Sequence, residues 1–175
     1  MNAAAVHGTV RQLIGQPVRV GSLDVGIVDD VLLGADLAIV LGVVVTTHAD
    51  RHCFLPWVAT AIGPDGAVEA TATTALLGEL ELDYYLRSGA RLSRVVGLVV
   101  DESGRDGTVV GDVMIAAGGR IEGFVVAAGD ARRAVPLEDT RIRWSDGKLL
   151  ELSVARPAPR GAARRRAPRR GRPRT

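Results

Sequence analysis

The same order of glycine, proline and β-branched residues occurs twice in this chain, and this repetition limits its possible folds more than any other feature. Unrelated segments would scatter the separations between matching positions, whereas small differences in loop length explain separations of 80 to 85 residues. A chain of 175 residues is long enough for two small related domains. The matching positions are Gly15 and Gly97, Gly26 and Gly111, Gly42 and Gly123, Pro56 and Pro136, and Ile62 and Ile142.

Short runs of Val, Leu and Ile between turn residues predict that each copy consists of antiparallel strands. In the first copy, the runs at 25–33 and 37–45 flank Gly34-Ala35-Asp36, which is typical of a β-hairpin. Segment 13–20 also has extended character, and Pro17 has no N–H to donate to a neighbouring strand. Pro17 therefore predicts an edge strand at that position.

The spacing of apolar residues changes between the two copies. Leu77, Leu80 and Tyr84 recur at three- and four-residue intervals, and Arg87 and Gly89 follow them as at the end of a helix. The sequence therefore predicts a first domain at 10–75, a linker helix at 76–90, a second domain at 91–153 and a C-terminal tail at 154–175.

The charges are divided unequally, because all 20 acidic residues precede position 155 and nine arginines follow it. The preceding segment has thirteen basic residues and a net charge of −7. An arginine- and proline-rich tail without aromatic residues predicts disorder and binding to anions, either the phosphates of RNA or DNA or an anionic membrane surface. The alternative is a solubilising tail that folds back on the acidic body. The arginines of the tail are Arg156, Arg160, Arg164, Arg165, Arg166, Arg169, Arg170, Arg172 and Arg174.

Cysteine content and hydropathy indicate a cytoplasmic protein. Cys53 is the only cysteine, so no internal disulfide can form, and the first residues lack the pattern of a secretory signal peptide. The most apolar run, 37–45, is much shorter than the roughly 20 residues that a membrane helix needs. We expect any attachment to membrane or nucleic acid to be peripheral and to depend on the tail.

Four short motifs in the first copy resemble the successive strand signatures of the PRC-barrel family, and the second copy keeps parts of the same series. The motifs of the first copy are Gly15-Gln16-Pro17-Val18, Gly26-Ile27-Val28-Asp29-Asp30-Val31, Gly42-Val43-Val44-Val45 and Leu55-Pro56-Trp57. Those of the second copy are Gly97, Gly111-Asp112-Val113, Gly123-Phe124-Val125-Val126 and Val135-Pro136-Leu137.

The resemblance implies an all-β fold, namely two small antiparallel β-barrels joined by a short helix and followed by the disordered tail. It implies roles in protein–protein contact or assembly, generally without catalysis, and it carries over no catalytic residue. We therefore expect a non-enzymatic adaptor for an unidentified protein client. The alternative is a ribosome- or RNA-associated assembly factor.

The second copy departs from the family pattern, since this alignment places Ile115 where the first copy has Asp30. On this comparison the first copy keeps the Asp30 and Trp57 positions and the second has lost them. The first copy is therefore the expected binding face. Trp57, Asp30 and Tyr85 are its candidate partner-binding residues.

His48, His52 and Cys53 form a cluster that could suggest a metal ligand set or a nucleophile. A structural zinc site usually has four ligands, and a catalytic cysteine needs a base and an orienting group beside it. The sequence offers neither, so we expect a small buried cysteine, no cofactor and no small-molecule substrate.

Overall fold

A computed structural model describes residues 8–101, 107–145 and 148–154, and these residues are mostly β-structure. The tail arginines lie outside the described residues. The first half contains β1 (Gly8–Thr9), β2 (Pro17–Val20), β3 (Leu23–Gly34), β4 (Val40–Thr47), β5 (His52–Pro56), β6 (Thr60–Ile62) and β7 (Val68–Ala70), followed by helix α1 (Glu79–Ser88). The second half contains β8 (Gly89–Arg91), the short helix α2 (Leu92–Val95), β9 (Val100–Asp101), β10 (Val109–Ile115), β11 (Ile121–Ala128), β12 (Ala131–Pro136), β13 (Thr140–Ser145) and β14 (Lys148–Val154).

The strands of the two halves pair in the same way, and we call residues 8–70 the first repeat and 89–154 the second. Strands β3, β4 and β5 form a meander in the first repeat, as β10, β11 and β12 do in the second. Strand β2 then pairs in parallel with β7, and β9 pairs in parallel with β14. The repeated order of sequence motifs therefore corresponds to a repeated order of strand pairings.

The register of these strands corrects the sequence alignment at one position. Asp30 lies opposite Val44 and Asp112 lies opposite Val125, and a bulge immediately precedes each aspartate. Asp112 is therefore the structural counterpart of Asp30, and the expectation that the second copy has lost this aspartate is wrong. Gly26 and Gly111, whose separation was the largest of the series, are not equivalent, because Gly111 is the bulge residue directly before Asp112 and so corresponds to Asp29.

The two repeats exchange their first segments. Strand β1 begins the first repeat but pairs with β10 of the second, where Gly8 is opposite Ile115. Reciprocally, β8 begins the second repeat but pairs with β3 of the first, where Ala90 is opposite Leu33. A further contact joins the repeats at their hairpin turns, since the amide of Ile121 donates to the carbonyl of Ala38 at 2.8 Å.

A single hydrophobic core extends through both repeats. Its largest cluster includes Val31 and Leu55 of the first repeat together with Val113, Phe124 and Leu152 of the second. The described strands form three sheets, of which the largest contains β2 to β7 and β8. The expected mostly-β class is confirmed, whereas closure into two barrels stays a prediction.

Two local expectations are wrong. Strand β2 is not an edge strand, because it lies between β3 and β7, and Pro17 is tolerated as its first residue, one position before the pairing with β7 begins. Helix α1 is shorter than the predicted 76–90 and presents a different face, since Leu82 is buried and Leu80 is 83% exposed.

Candidate functional site

An apolar groove of about 580 Å³ lies between the two repeats. Trp57, Val58 and Ile62 of the first repeat line one side, and Ile115 and the turn that follows β10 line the other. We call this feature the Trp57 groove.

Local sequence holds Trp57 at the groove. Pro56 ends β5, and the chain then forms a 3-10 turn over Trp57–Ala59 in which the Thr60 hydroxyl donates to the Pro56 carbonyl at 2.9 Å. Gly119 of the second repeat lies against the indole ring, and a Cβ atom at that position would overlap the ring. Gly119 also has a positive φ of 80°, so a glycine is required there for both space and conformation.

The groove exposes apolar side chains at and beside Trp57. The Trp57 ring is half-buried, and Val58 is 95% exposed. The amides of Gln12 and Gln16 and the hydroxyl of Thr60 supply hydrogen-bonding groups in the lining. A half-buried aromatic ring next to exposed aliphatic surface is typical of sites that bind other molecules by apolar contact.

The turn at one end of the groove is held by an ion pair. Arg19 Nη1 donates to Asp65 Oδ2 at 2.6 Å, and the amide of Ala67 donates to Asp65 Oδ1 at 3.2 Å. These hydrogen bonds, the one from Arg19 foremost, lower the pKa of Asp65 below its usual value of 3.8. Gly66, which lines the groove, therefore lies in a fixed turn.

The second repeat has a different surface at the equivalent place. Leu137 follows Pro136 as Trp57 follows Pro56, and it lines a hollow of about 540 Å³ together with Arg120, Glu122 and Glu138. The tryptophan is thus replaced and the surroundings are charged. That the first repeat carries the binding face stays a prediction.

Asp30 lies inside the fold and away from the groove. It is 3% exposed, and its carboxylate accepts hydrogen bonds from the amides of Val31 and Ser93 at 2.8 and 3.2 Å and from the Ser93 hydroxyl at 2.6 Å. Its role in this geometry is to hold the start of the second repeat against the first.

The sequence selected Tyr85 as the contact residue of the linker helix, but the exposed tyrosine is Tyr84. Tyr85 is half-buried and stacks on Phe54 with a ring-centre distance of 4.1 Å. Tyr84 is 67% exposed. Since the two neighbours point to different sides of α1, only Tyr84 presents most of its ring to solvent.

His48 lies in the turn between β4 and β5, whereas His52 and Cys53 lie on β5, and the two histidines contact different side chains. His48 Nε2 is 3.0 Å from Asp24 Oδ1, and His52 Nδ1 is 3.2 Å from Thr46 Oγ1. Within residues 8–101, 107–145 and 148–154, no three His, Cys, Asp or Glu side chains are grouped as metal ligands would be. In the same residues, no helix has the length and apolar composition needed to cross a membrane.

Sequence reasoning found Trp57 but missed the rest of the groove. Gln12, Val58 and Ile115 have no distinctive pattern, and Ile115 is brought to Trp57 only by the pairing of the two repeats. The tryptophan after Leu55-Pro56 was the single signal available.

No family model matches the sequence, and no curated protein matches it closely enough to be a relative.

Proposed function

We propose that this chain is a non-enzymatic adaptor made of two PRC-barrel-like repeats, which binds an apolar segment of a protein client in the Trp57 groove. The observation that carries the proposal is the exposed apolar surface at Trp57 and Val58. The other lining side chains are apolar or neutral, and so suit apolar contact and hydrogen bonding.

The C-terminal tail adds an electrostatic attachment in this proposal. Its nine arginines follow a segment with a net charge of −7, so the cationic charge is concentrated at one end of the chain. Arginines release counterions when they bind phosphates, which makes such binding strongly dependent on salt. The tail would thus hold the adaptor near RNA, DNA or anionic lipid while the groove holds the client.

Val58→Asp tests the groove because a side chain that is 95% exposed can be replaced without disturbing the core. The matched control is Leu80→Asp, which places the same charge on the exposed side of α1. Each full-length variant is immobilised, and proteins captured from a lysate of the source cells are identified by mass spectrometry. A client retained by the wild type and by Leu80→Asp should be lost with Val58→Asp, with affinity lowered on the order of tenfold or more.

Capture of the same clients by Val58→Asp and the wild type would overturn the groove proposal. The assembly-factor alternative predicts ribosomal proteins among the clients and co-sedimentation of the chain with ribosomal subunits.

Deletion of 156–175 tests the tail separately. Binding to RNA and to vesicles containing phosphatidylglycerol at low salt should fall sharply. In a plot of the logarithm of the binding constant against the logarithm of salt concentration, the slope should become less steep by about 0.9 for each phosphate contact removed. Unchanged binding to both would contradict the electrostatic role.

A further inference from the structure

The first repeat covers the outer face of its own sheet with helix α1. Leu82 is buried against Phe54, and Tyr85 and Leu86 pack on the same cluster, which also contains Leu32 and Val44. These contacts remove a patch of apolar sheet surface from solvent.

The residue before this helix also closes the edge of the sheet. Phe54 and Leu77 exchange two backbone hydrogen bonds, of 2.9 and 2.8 Å, so Leu77 acts as one residue of an added strand beside β5. The covering segment therefore has two parts, an extended residue that bonds to the edge strand and an amphipathic helix that lies on the face.

The second repeat has the equivalent face, and the described part of the chain does not cover it in this way. By strand register, Met114 corresponds to Leu32, Val125 to Val44 and Ala134 to Phe54. Met114 and Val125 are half-buried and Ala134 is exposed. Strand β12, which carries Ala134, is the outermost strand of its sheet within the described residues.

A hollow adjoins Met114 of this face. It has a volume of about 240 Å³ and is lined by Met114, Glu122 and Gln12, among others. Met114 and Glu122 correspond to Leu32 and Leu41, which contribute to the cluster under α1 in the first repeat. The second repeat thus presents a shallow site where the first has a filled one.

Residues 155–175 are chemically unsuited to fill this site. After Val154 the sequence contains only Ala, Arg, Pro, Gly and Thr, so it has no counterpart of Leu82, Tyr85 or Leu86. Arg132 is exposed on the edge strand itself and places a positive charge beside this face. The carboxylate of Glu122, in the hollow, forms an ion pair with Arg120, whose Nη2 lies 3.4 Å from Glu122 Oε1. The surroundings therefore favour an acidic occupant, and α1 itself has Glu79 and Glu81 in its first turn.

We propose that the outer face of the second repeat, formed by Met114, Val125 and Ala134, is a docking site for an acidic amphipathic helix of a partner protein. The helix lies on this face as α1 lies on the first repeat, and an extended residue before it bonds to the backbone of Ala134. Met114, Val125 and Ala134 do not line the Trp57 groove, although Gln12 lines both the groove and the hollow beside Met114. The inference therefore concerns a different set of strand residues and goes beyond the proposed function.

A synthetic peptide with the sequence of residues 73–88 is the probe, since it contains both parts of the covering segment. Its binding to the full-length chain is measured by fluorescence anisotropy. We expect saturable binding that Ala134→Arg weakens on the order of tenfold or more, because the larger charged side chain blocks the face from an exposed position. Val99→Arg introduces the same side chain at another exposed site, so it is the matched control and should leave binding unchanged.

Two further variants separate the parts of the interaction. Arg132→Glu should weaken binding through charge repulsion of the acidic peptide, and this effect should shrink at high salt. A peptide with Leu82→Ala and Leu86→Ala should bind more weakly than the original because it lacks two leucines that pack on the sheet in the first repeat. Circular dichroism of each protein variant checks that it is folded.

Several outcomes would overturn the proposal. Equal affinity for the wild type and Ala134→Arg would mean that the peptide binds elsewhere, for example by displacing α1 from the first repeat. A rise in affinity after deletion of 156–175 would mean that the tail covers the face. If the wild type formed a dimer that Ala134→Arg dissociated, a second copy of the chain would be the occupant. A lack of saturable peptide binding would contradict the proposed site.

Discussion

Asp30 and Asp112 make the same kind of contact from opposite repeats. Asp112 Oδ1 accepts hydrogen bonds from the amides of Val113 and Arg11, at 2.8 and 3.0 Å, much as Asp30 accepts from Val31 and Ser93. In each case the aspartate receives an amide from the first segment of the other repeat.

The sequence indicated only part of this arrangement. Adjacent strand residues point to opposite faces, which correctly separates Asp29, now exposed, from the buried Asp30. The bonding partner Ser93 lies 63 residues away, so no local pattern could have revealed it. Alignment of Gly26 with Gly111 also concealed the equivalence of Asp112 with Asp30, since Gly111 corresponds to Asp29.

Replacement of Asp30 by alanine should lower the free energy of unfolding by about 3 kcal/mol, because it leaves buried donors unpaired. The exposed neighbour provides the control, since Asp29→Ala should change the free energy by no more than about 0.5 kcal/mol. Urea denaturation followed by circular dichroism measures both. Equal stability of the two variants would show that the Asp30 contacts make no net contribution to the free energy of unfolding.

At the level of secondary structure, elements with local determinants were predictable and those with distant partners were not. The predicted hairpin at 25–33 and 37–45 corresponds closely to β3 and β4, since its β-branched runs and turn residues are contiguous. The position of β2 depends on β7, almost 50 residues later, and the proline at its start suggested an edge instead. The face of α1 was missed because leucines occur on more than one side of this short helix.

The glycines that first indicated the repetition have a structural reason within their strands. A Cβ atom on Gly42 would overlap the Leu55 carbonyl of the neighbouring strand, and one on Gly123 would overlap the Val135 carbonyl. Gly111 differs, since its added Cβ would lie at 3.4 Å from the nearest atom, the Val125 carbonyl oxygen. The first two glycines therefore permit close strand approach, and the third is replaceable.

Gly42→Ala and Gly123→Ala should each lower the free energy of unfolding by about 2 kcal/mol or more through steric overlap. Gly111→Ala should change it by less than about 1 kcal/mol. Guanidinium denaturation of the three variants makes the comparison. The equivalence of Gly42 and Gly123 would be refuted if only one of them were sensitive.

At the scale of the whole molecule, the exchanged first segments join the two repeats by backbone pairing. The duplication predicted two domains, and each repeat does keep its own order of strands. The pairing of Gly8 with Ile115 and of Ala90 with Leu33 nevertheless places a strand of each repeat in the other. Contacts between residues so far apart leave no periodic signal in a sequence, and the exchange was therefore invisible before the structure.

This exchange predicts that the repeats cannot be separated without loss of stability. A fragment of residues 1–88 lacks β8 beside β3, and a fragment of residues 89–175 lacks β1 beside β10. Each would expose part of the shared core, so neither should show cooperative thermal unfolding alone. Mixed together, they should restore the missing strands and form a one-to-one complex, detected by light scattering, with a cooperative transition by circular dichroism.

A fragment of residues 1–95 separates the exchange from a general effect of truncation. It keeps β8 beside β3 and Ser93 within reach of Asp30, so it should be more stable than 1–88 although it adds only seven residues. Adding Asp30→Ala to both fragments should narrow the difference between them, because the contact to Ser93 would then be absent from each. Cooperative unfolding of 1–88 with the same midpoint as 1–95 would show that the first repeat folds without the borrowed segment.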